Sequence, residues 1–296
     1  MQIIDGQEMA RKIRLSLASR VERHSSRPTL AVVLVGKNPA SEIYVRNKEK
    51  ACRECGFRSR EHRLEETLGE GDLVRLIGQL NEDRETNGIL LQLPLPGHMD
   101  EKKIILALDP SKDVDCFHPM NVGRLFSSRN NADLEILPCT AAGCLRMIKS
   151  VCPQLAGKNA VVLGRSNLVG RPVAQLLLNE DCSVTLVHSR TRDLPSLTKN
   201  AEIVVVAIGK PKFLKRAMLG NGVLVIDVGI NRLSDGSICG DVDFDDVKDV
   251  CSFLSPVPGG VGPMTVACLM ENTYNLFLKQ NPGLSEPAEA PRVGRL

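Results

Sequence analysis

The stretch SEIYVRNKEK, residues 41–50, carries a phenol and an ammonium one helical turn apart, at Tyr44 and Lys48, on one face of a helical segment. The phenol can support a flat heteroaromatic ring. The ammonium beside it can give or take a proton if desolvation brings its pKa toward the working pH. Tyr-x-x-x-Lys is also an ordinary surface-helix pattern, so its meaning depends on what accompanies it. Gln92 interrupts the apolar run GILLQLPLP (88–96) near the carboxyl end of a predicted strand, where parallel sheets place ligands and where a buried amide needs partners. Asp113 and Asp115 flank a valine in KDVD (112–115), so extended backbone would send one toward a cleft and leave the other to tie down the loop. PVPGGVGPMT (256–265) holds three prolines and three glycines in ten residues, a rigid loop able to bring backbone close to a flat ligand. Each feature has a structural explanation when taken singly: a lone strand glutamine fits a sheet edge, and a Pro/Gly loop fits a turn.

A second group suits a nucleotide. VVLGRSNLVGRP (161–172) lies between a predicted strand and helix, where a doubly wound sheet holds a pyrophosphate on backbone N–H groups. Its glycines, Gly164 and Gly170, do not make GxGxxG, and such a turn often merely closes a strand onto a helix. The next strand discriminates. It ends in HSRT (188–191), without the carboxylate that would bond a free ribose hydroxyl pair. Arg165, Ser189 and, at a position equally suited to a solvated charge, Arg190 favour a 2′-phosphate, which points to NADP.

The elements that must position these residues alternate. Asp5 and Glu8 predict a helix start, with Ala10, Ile13, Leu17 and Val21 on its inner face. TLAVVLVG (29–36) reads as a strand buried on both faces. After it come the Tyr44 helix, a strand near 57–63, a helix at 71–82 and the strand 88–96. The stretch 119–139, rich in Asn, Gly, Ser and Arg, reads as a domain junction. Beyond it a helix at 140–149 precedes strands at 159–164, 183–189, 201–209 and 222–229, with a helix at 169–179 and a long last helix at 263–280. The class is α/β: two domains around a cleft, the second a doubly wound, Rossmann-like parallel sheet. We expect residues 1–138 plus 268–296 in the first domain and 139–267 in the second, with a disordered tail from about Pro282.

The 296 residues are 43% hydrophobic, enough for two cores, and the net charge is +3 with no basic run interleaved with aromatics. Charge alone therefore recruits neither nucleic acid nor membrane. The ten cysteines are scattered through apolar segments of a long chain, which suits reduced, buried thiols. Cys52 and Cys55 form a CxxC on a helix without the second pair a zinc site needs. With no leader and no apolar run of membrane length, a cytoplasmic protein is expected. The five histidines lie beside no nucleophile motif.

Taken together, YVRNK (44–48), LQLPLP (91–96), KDVD (112–115), PCT (138–140), GRSNLVGRP (164–172), GDV (240–242) and PVPGGVGPMT (256–265) resemble, in order and spacing, the segments of the bifunctional methylenetetrahydrofolate dehydrogenase/methenyltetrahydrofolate cyclohydrolase family. The resemblance runs from about residue 3 to 280. It implies that Tyr44 lies against the folate ring system, that Lys48 is the catalytic base and acid with Gln92 as its partner, and that Asp115 holds the pterin's amino edge. It places Leu93, Pro258 and Gly259 on the substrate, and Thr140, Gly164, Arg165, Ser166, Ser189 and Ile230 on NADP. It implies a dimer through the cofactor domain and a last helix returning to the first domain. For Cys139 a structural role is preferred over a reactive one. A two-domain NADP-dependent dehydrogenase for an amino or hydroxy acid is the rival enzyme reading, and a dinucleotide-sensing module is the non-catalytic one. Against the first stands the Tyr44, Lys48 and Gln92 set; against the second, a catalytic set with every position filled.

Overall fold

The computed structural model describes residues 1–284, so the tail expected to be disordered lies, from residue 285 on, outside the described residues. The chain opens with a two-residue strand, β1 (Gln2–Ile3). Asp5 then caps α1 (Gly6–Val21), its carboxylate accepting from Glu8 N at 2.9 Å. The expected inner stripe is in place: Ala10, Leu17 and Val21 are buried, and Ile13 half-buried. β2 (Thr29–Val35) is buried along its whole length, as a central parallel strand must be. It is followed by α2 (Pro39–Glu54), β3 (Arg58–Leu64), α3 (Glu70–Glu82) and β4 (Gly88–Leu91). The three strands form a parallel sheet in the order β3-β2-β4, with the charged β3 at its edge.

One expectation for this half is corrected, and one helix is added. The strand read over 88–96 stops at Leu91, and Pro94 and Pro96 beyond it have no N–H to continue a ladder. After α4 (Glu101–Leu106), the 119–139 stretch is not wholly irregular: it contains α5 (Pro119–Ser127), started by His118, whose Nδ1 accepts from Met120 N at 3.1 Å, and by Pro119 in the first turn. Local capping outweighs the loop-like composition there.

The second sheet is built after α6 (Cys139–Val151) from β5 (Asn159–Leu163), α7 (Gly170–Leu178), β6 (Ser183–Val187), α8 (Leu194–Lys199), β7 (Ile203–Val206) and β8 (Val223–Asp227). A hairpin of β9 (Asn231–Arg232) and β10 (Ile238–Cys239), the short α9 (Phe244–Val247) and β11 (Cys251–Leu254) follow. Strand order is β1-β11-β8-β7-β5-β6, parallel throughout, with the direction of winding reversing at β5. Four strands were expected; β11 and β1 are additional. Gln2 and Ile3, counted from sequence in the first domain, pair here with Phe253 and Leu254. A two-residue strand has no period to detect.

α10 (Val261–Gln280) returns as expected, packing on α1, α2 and the first sheet as well as on α6. Tyr274 and Phe277 are fully buried on it, and the Tyr274 hydroxyl lies 2.8 Å from His24 Nε2. Among the described residues no helix is long and apolar enough to cross a membrane.

Candidate active site

Lys48, on the inner face of α2, is 9% exposed, and its Nζ donates to Gln92 Oε1 at 2.9 Å. Gln92 is itself buried, one residue beyond β4, and its Nε2 donates to Leu93 O at 2.7 Å. The amide thus has its donor side tied down and its acceptor side aimed at the ammonium. Burial lowers the Lys48 pKa below the ordinary lysine range; Asp115 and then Cys139 act in the opposite direction. Tyr44, one turn earlier, is 37% exposed, and burial of the rest of its ring raises its pKa.

The KDVD segment runs beside β4, with Ile89 N donating to Lys112 O at 2.7 Å and a parallel bridge between Ile89 and Asp113. The choice between the two aspartates is settled by their partners. Asp113 Oδ2 accepts from His118 N at 2.8 Å and Asn121 Nδ2 at 3.0 Å, so it ties down the loop. Asp115 keeps part of its surface open while its carboxyl is pushed above the usual range by burial, Lys48 countering that rise. Lys48, Gln92, Leu93 and Asp115 therefore sit together at the carboxyl ends of the first sheet's strands.

Gly164, at φ 115°, follows β5 at the winding reversal; a Cβ there would lie 2.1 Å from Ala207 O, and one on Gly170 would lie 1.9 Å from Gly164 O. Backbone packs on backbone, and only glycine fits. Ser166 Oγ accepts from Val169 N at 3.1 Å and Gly170 N at 3.3 Å, ordering the turn into α7. Arg165, Ser166 and Ser189 are exposed at the ends of β5 and β6, and Asp193, the nearest later acid, is occupied capping α8 through Ser196 N. A close-backed glycine turn, a helix start and an exposed arginine without a competing carboxylate fit a phosphorylated dinucleotide.

The two groups meet through α6 and α10. Cys139 Sγ lies 3.4 Å from Val114 O, next to Asp115, and burial holds its thiol well above the usual range, in keeping with a structural role. Thr140 Oγ1 is 3.3 Å from Thr265 Oγ1. Gly259 O accepts from Gln7 N at 2.9 Å, Pro258 is exposed, and the half-exposed Ile230 has its Cδ1 3.7 Å from where a Cβ on Gly262 would stand. No direct bond joins Pro258 or Gly259 to Lys48 among the described residues.

Sequence reasoning assigned no role to Asp227 and Asp241, although GDV was noticed as a segment. Asp241 accepts from Ile208 N (2.7 Å), Gly209 N (2.9 Å), Lys210 N (2.8 Å) and Asn231 Nδ2 (2.9 Å), binding the turns after β7 and β8 together. Asp227 in turn accepts from Gly229, Asp241 and Val242 N, and burial raises its pKa to about 6. An acid ending the apolar run VLVID was the available signal.

A doubly wound parallel sheet joined to a smaller α/β lobe, with a glycine turn at the winding reversal, is the architecture of a two-domain dinucleotide-dependent oxidoreductase. The model of the tetrahydrofolate dehydrogenase/cyclohydrolase catalytic domain matches residues 4–115, and that of the NAD(P)-binding domain matches residues 138–281. The bifunctional protein FolD of Streptococcus agalactiae is 50% identical over 282 residues, 94% of this chain and 98% of the relative; that of Listeria innocua is 51% identical over 275 residues, 92% and 95%. The solved structure of the Campylobacter jejuni bifunctional enzyme FolD matches with a TM-score of 0.89 at 44% identity, covering 94% of this chain and 99% of that one. The Trypanosoma brucei enzyme, complexed with NADP cofactor and inhibitor, matches with 0.89 at 38%, covering 94% and 97%. The chain belongs to the tetrahydrofolate dehydrogenase/cyclohydrolase family and is a bifunctional enzyme of it with an NAD(P)-binding domain.

Proposed function

We propose that the enzyme oxidises 5,10-methylenetetrahydrofolate to the methenyl form and hydrolyses that to 10-formyltetrahydrofolate in one crevice, with Lys48 as general base and then acid. NADP, when bound, supplies the hydride acceptor. Gly164, Arg165, Ser166, Ser189, Thr140 and Ile230 would hold it, and Arg165 would contact the 2′-phosphate. Tyr44 would support the ring system, Asp115 would bond the pterin's amino edge, and Leu93, Pro258 and Gly259 would line the substrate. In the hydrolysis, water adds to the cationic methenyl carbon, neutral Lys48 takes the proton that water loses, and the resulting ammonium returns a proton to the nitrogen that departs as the ring opens. Gln92 orients the amine throughout. The observation that carries this reading is the buried Lys48 Nζ bonded at 2.9 Å to Gln92, with burial already favouring the neutral amine.

Lys48→Met keeps the size of the side chain and removes the base; hydrolysis of methenyltetrahydrofolate is expected to fall by about 10² or more. A variant hydrolysing at the wild-type rate would remove the assignment. Arg165→Ala is expected to raise the KM for NADP by about tenfold to a hundredfold and leave that for NAD unchanged, the loss typical of a hydrogen bond to a charged group. The same reading takes 1–138 with 268–296, and 139–267, as the two domains, with Gln2 and Ile3 exchanged into the second sheet. A homodimer through the cofactor domain and a cytoplasmic location complete it. The ten cysteines, all free and eight of them buried, support a reducing compartment.

A further inference from the structure

Asn272, on α10, is 5% exposed and belongs to neither group of site residues. Its Nδ2 donates to Val114 O at 2.8 Å and Leu137 O at 2.7 Å and lies 3.4 Å from Cys139 Sγ; its Oδ1 accepts from Leu137 N at 3.4 Å. These partners are not equivalent. Val114 immediately precedes Asp115 on the folate side. Leu137 lies in the segment that leads from the first lobe to the second, and Cys139 begins α6, one residue before Thr140 on the cofactor side. One buried amide therefore ties the carboxyl end of the first sheet, the connection and the first turn of the second lobe to a single point on α10. The same helix begins at Val261, within the Pro/Gly segment 256–265. A leucine would fill the same core and bond none of them, so the amide's desolvation is offset only by what it holds in place.

We propose that Asn272 is a positioning residue that sets the register between the folate lobe and the cofactor lobe, and so the approach of the one-carbon bridge to the nicotinamide. Hydride transfer needs reacting atoms within about 3–3.5 Å, and a displacement of about 1 Å can cost 10²-fold. Hydrolysis, as proposed above, draws its base and orienting amide, Lys48 and Gln92, from the first lobe alone. The two activities thus respond differently to loss of register, and in this the inference rests on that reading of the site.

The test compares Asn272→Ser, which keeps one donor and leaves space, and Asn272→Leu with Leu276→Ala, a cavity variant on the same helix that removes buried apolar volume and no hydrogen bond. Methenyltetrahydrofolate hydrolysis is measured without NADP, methylenetetrahydrofolate oxidation with saturating NADP, and NADP affinity by titration of the folate-free protein. For Asn272→Ser the ratio of oxidation to hydrolysis is expected to fall about tenfold or more, with NADP affinity within about twofold of wild type and a larger deuterium isotope effect from methylene-labelled substrate. Leu276→Ala is expected to leave the ratio within about twofold, since destabilisation alone lowers both rates together. Should Asn272→Leu fail to fold, the serine variant decides. An unchanged ratio in Asn272→Ser, or an equal fall in Leu276→Ala, overturns the proposal.

Discussion

The proposed role of Lys48 as a base rests on the burial of its ammonium beside Gln92, which lowers its pKa, while the nearby Asp115 acts in the opposite direction. Hydrolysis at saturating substrate should therefore rise with pH as Lys48 loses its proton, then level off. Asp115→Asn removes the charge that favours the ammonium, so the lysine pKa falls further and the rising limb is expected at lower pH; a limb that stays put, or moves up, contradicts that coupling. Cys139, buried with its pKa raised, is expected to resist iodoacetamide at neutral pH in the folded enzyme and to react on unfolding, as peptide mass mapping would reveal. At this scale much was legible. Tyr44, Lys48 and Gln92 stand out because a polar residue in an apolar run and an aromatic one turn from a lysine are local anomalies. Spacing alone left open which aspartate of KDVD ties down the loop, and only the resemblance favoured Asp115 for the ligand; Asp113 is claimed by His118 N and Asn121 Nδ2 at a helix start.

Among the elements, α1 has a second role as the backing of the Pro/Gly loop. Gly6 lies against Gly260, where an added Cβ would come within 2.0 Å of the carbonyl oxygen, and Gln7 N donates to Gly259 O at 2.9 Å. Gly6→Ala must displace that loop, and the KM for methylenetetrahydrofolate is expected to rise while NADP affinity changes little; an unaltered KM would show that the loop does not shape the folate site. On the cofactor side, Asp241 gathers four N–H donors from two turns that are separate in sequence. Asp241→Ala strands those donors and is expected to cost more than about 3 kcal/mol in denaturant unfolding, against which a loss under 1 kcal/mol would be decisive. The GDV segment was noticed as a string of letters; its physical function required seeing the β7 and β8 turns side by side.

For the whole molecule, α10 packs on elements of both lobes. Its side chains reach β2, α1, α2 and α6, with Tyr274 and Phe277 filling the core between them. Phe277→Ala is expected to lower stability by about 3–5 kcal/mol through the cavity it leaves, with both activities falling in parallel at temperatures near unfolding. The alternation of elements, the two lobes, the glycine turn after β5, the missing ribose acid and the candidates Tyr44, Lys48 and Gln92 were legible in the sequence itself, because each rests on a period or an anomaly within some twenty residues. Only the tertiary structure decided that β1 closes the far edge of the second sheet, that Asp113 is spent on its own loop, and that Asn272 holds Val114 and Leu137 from 158 and 135 residues away. Those bonds join segments with no local pattern in common, so their partners are chosen by packing and by the cost of leaving a buried polar group alone.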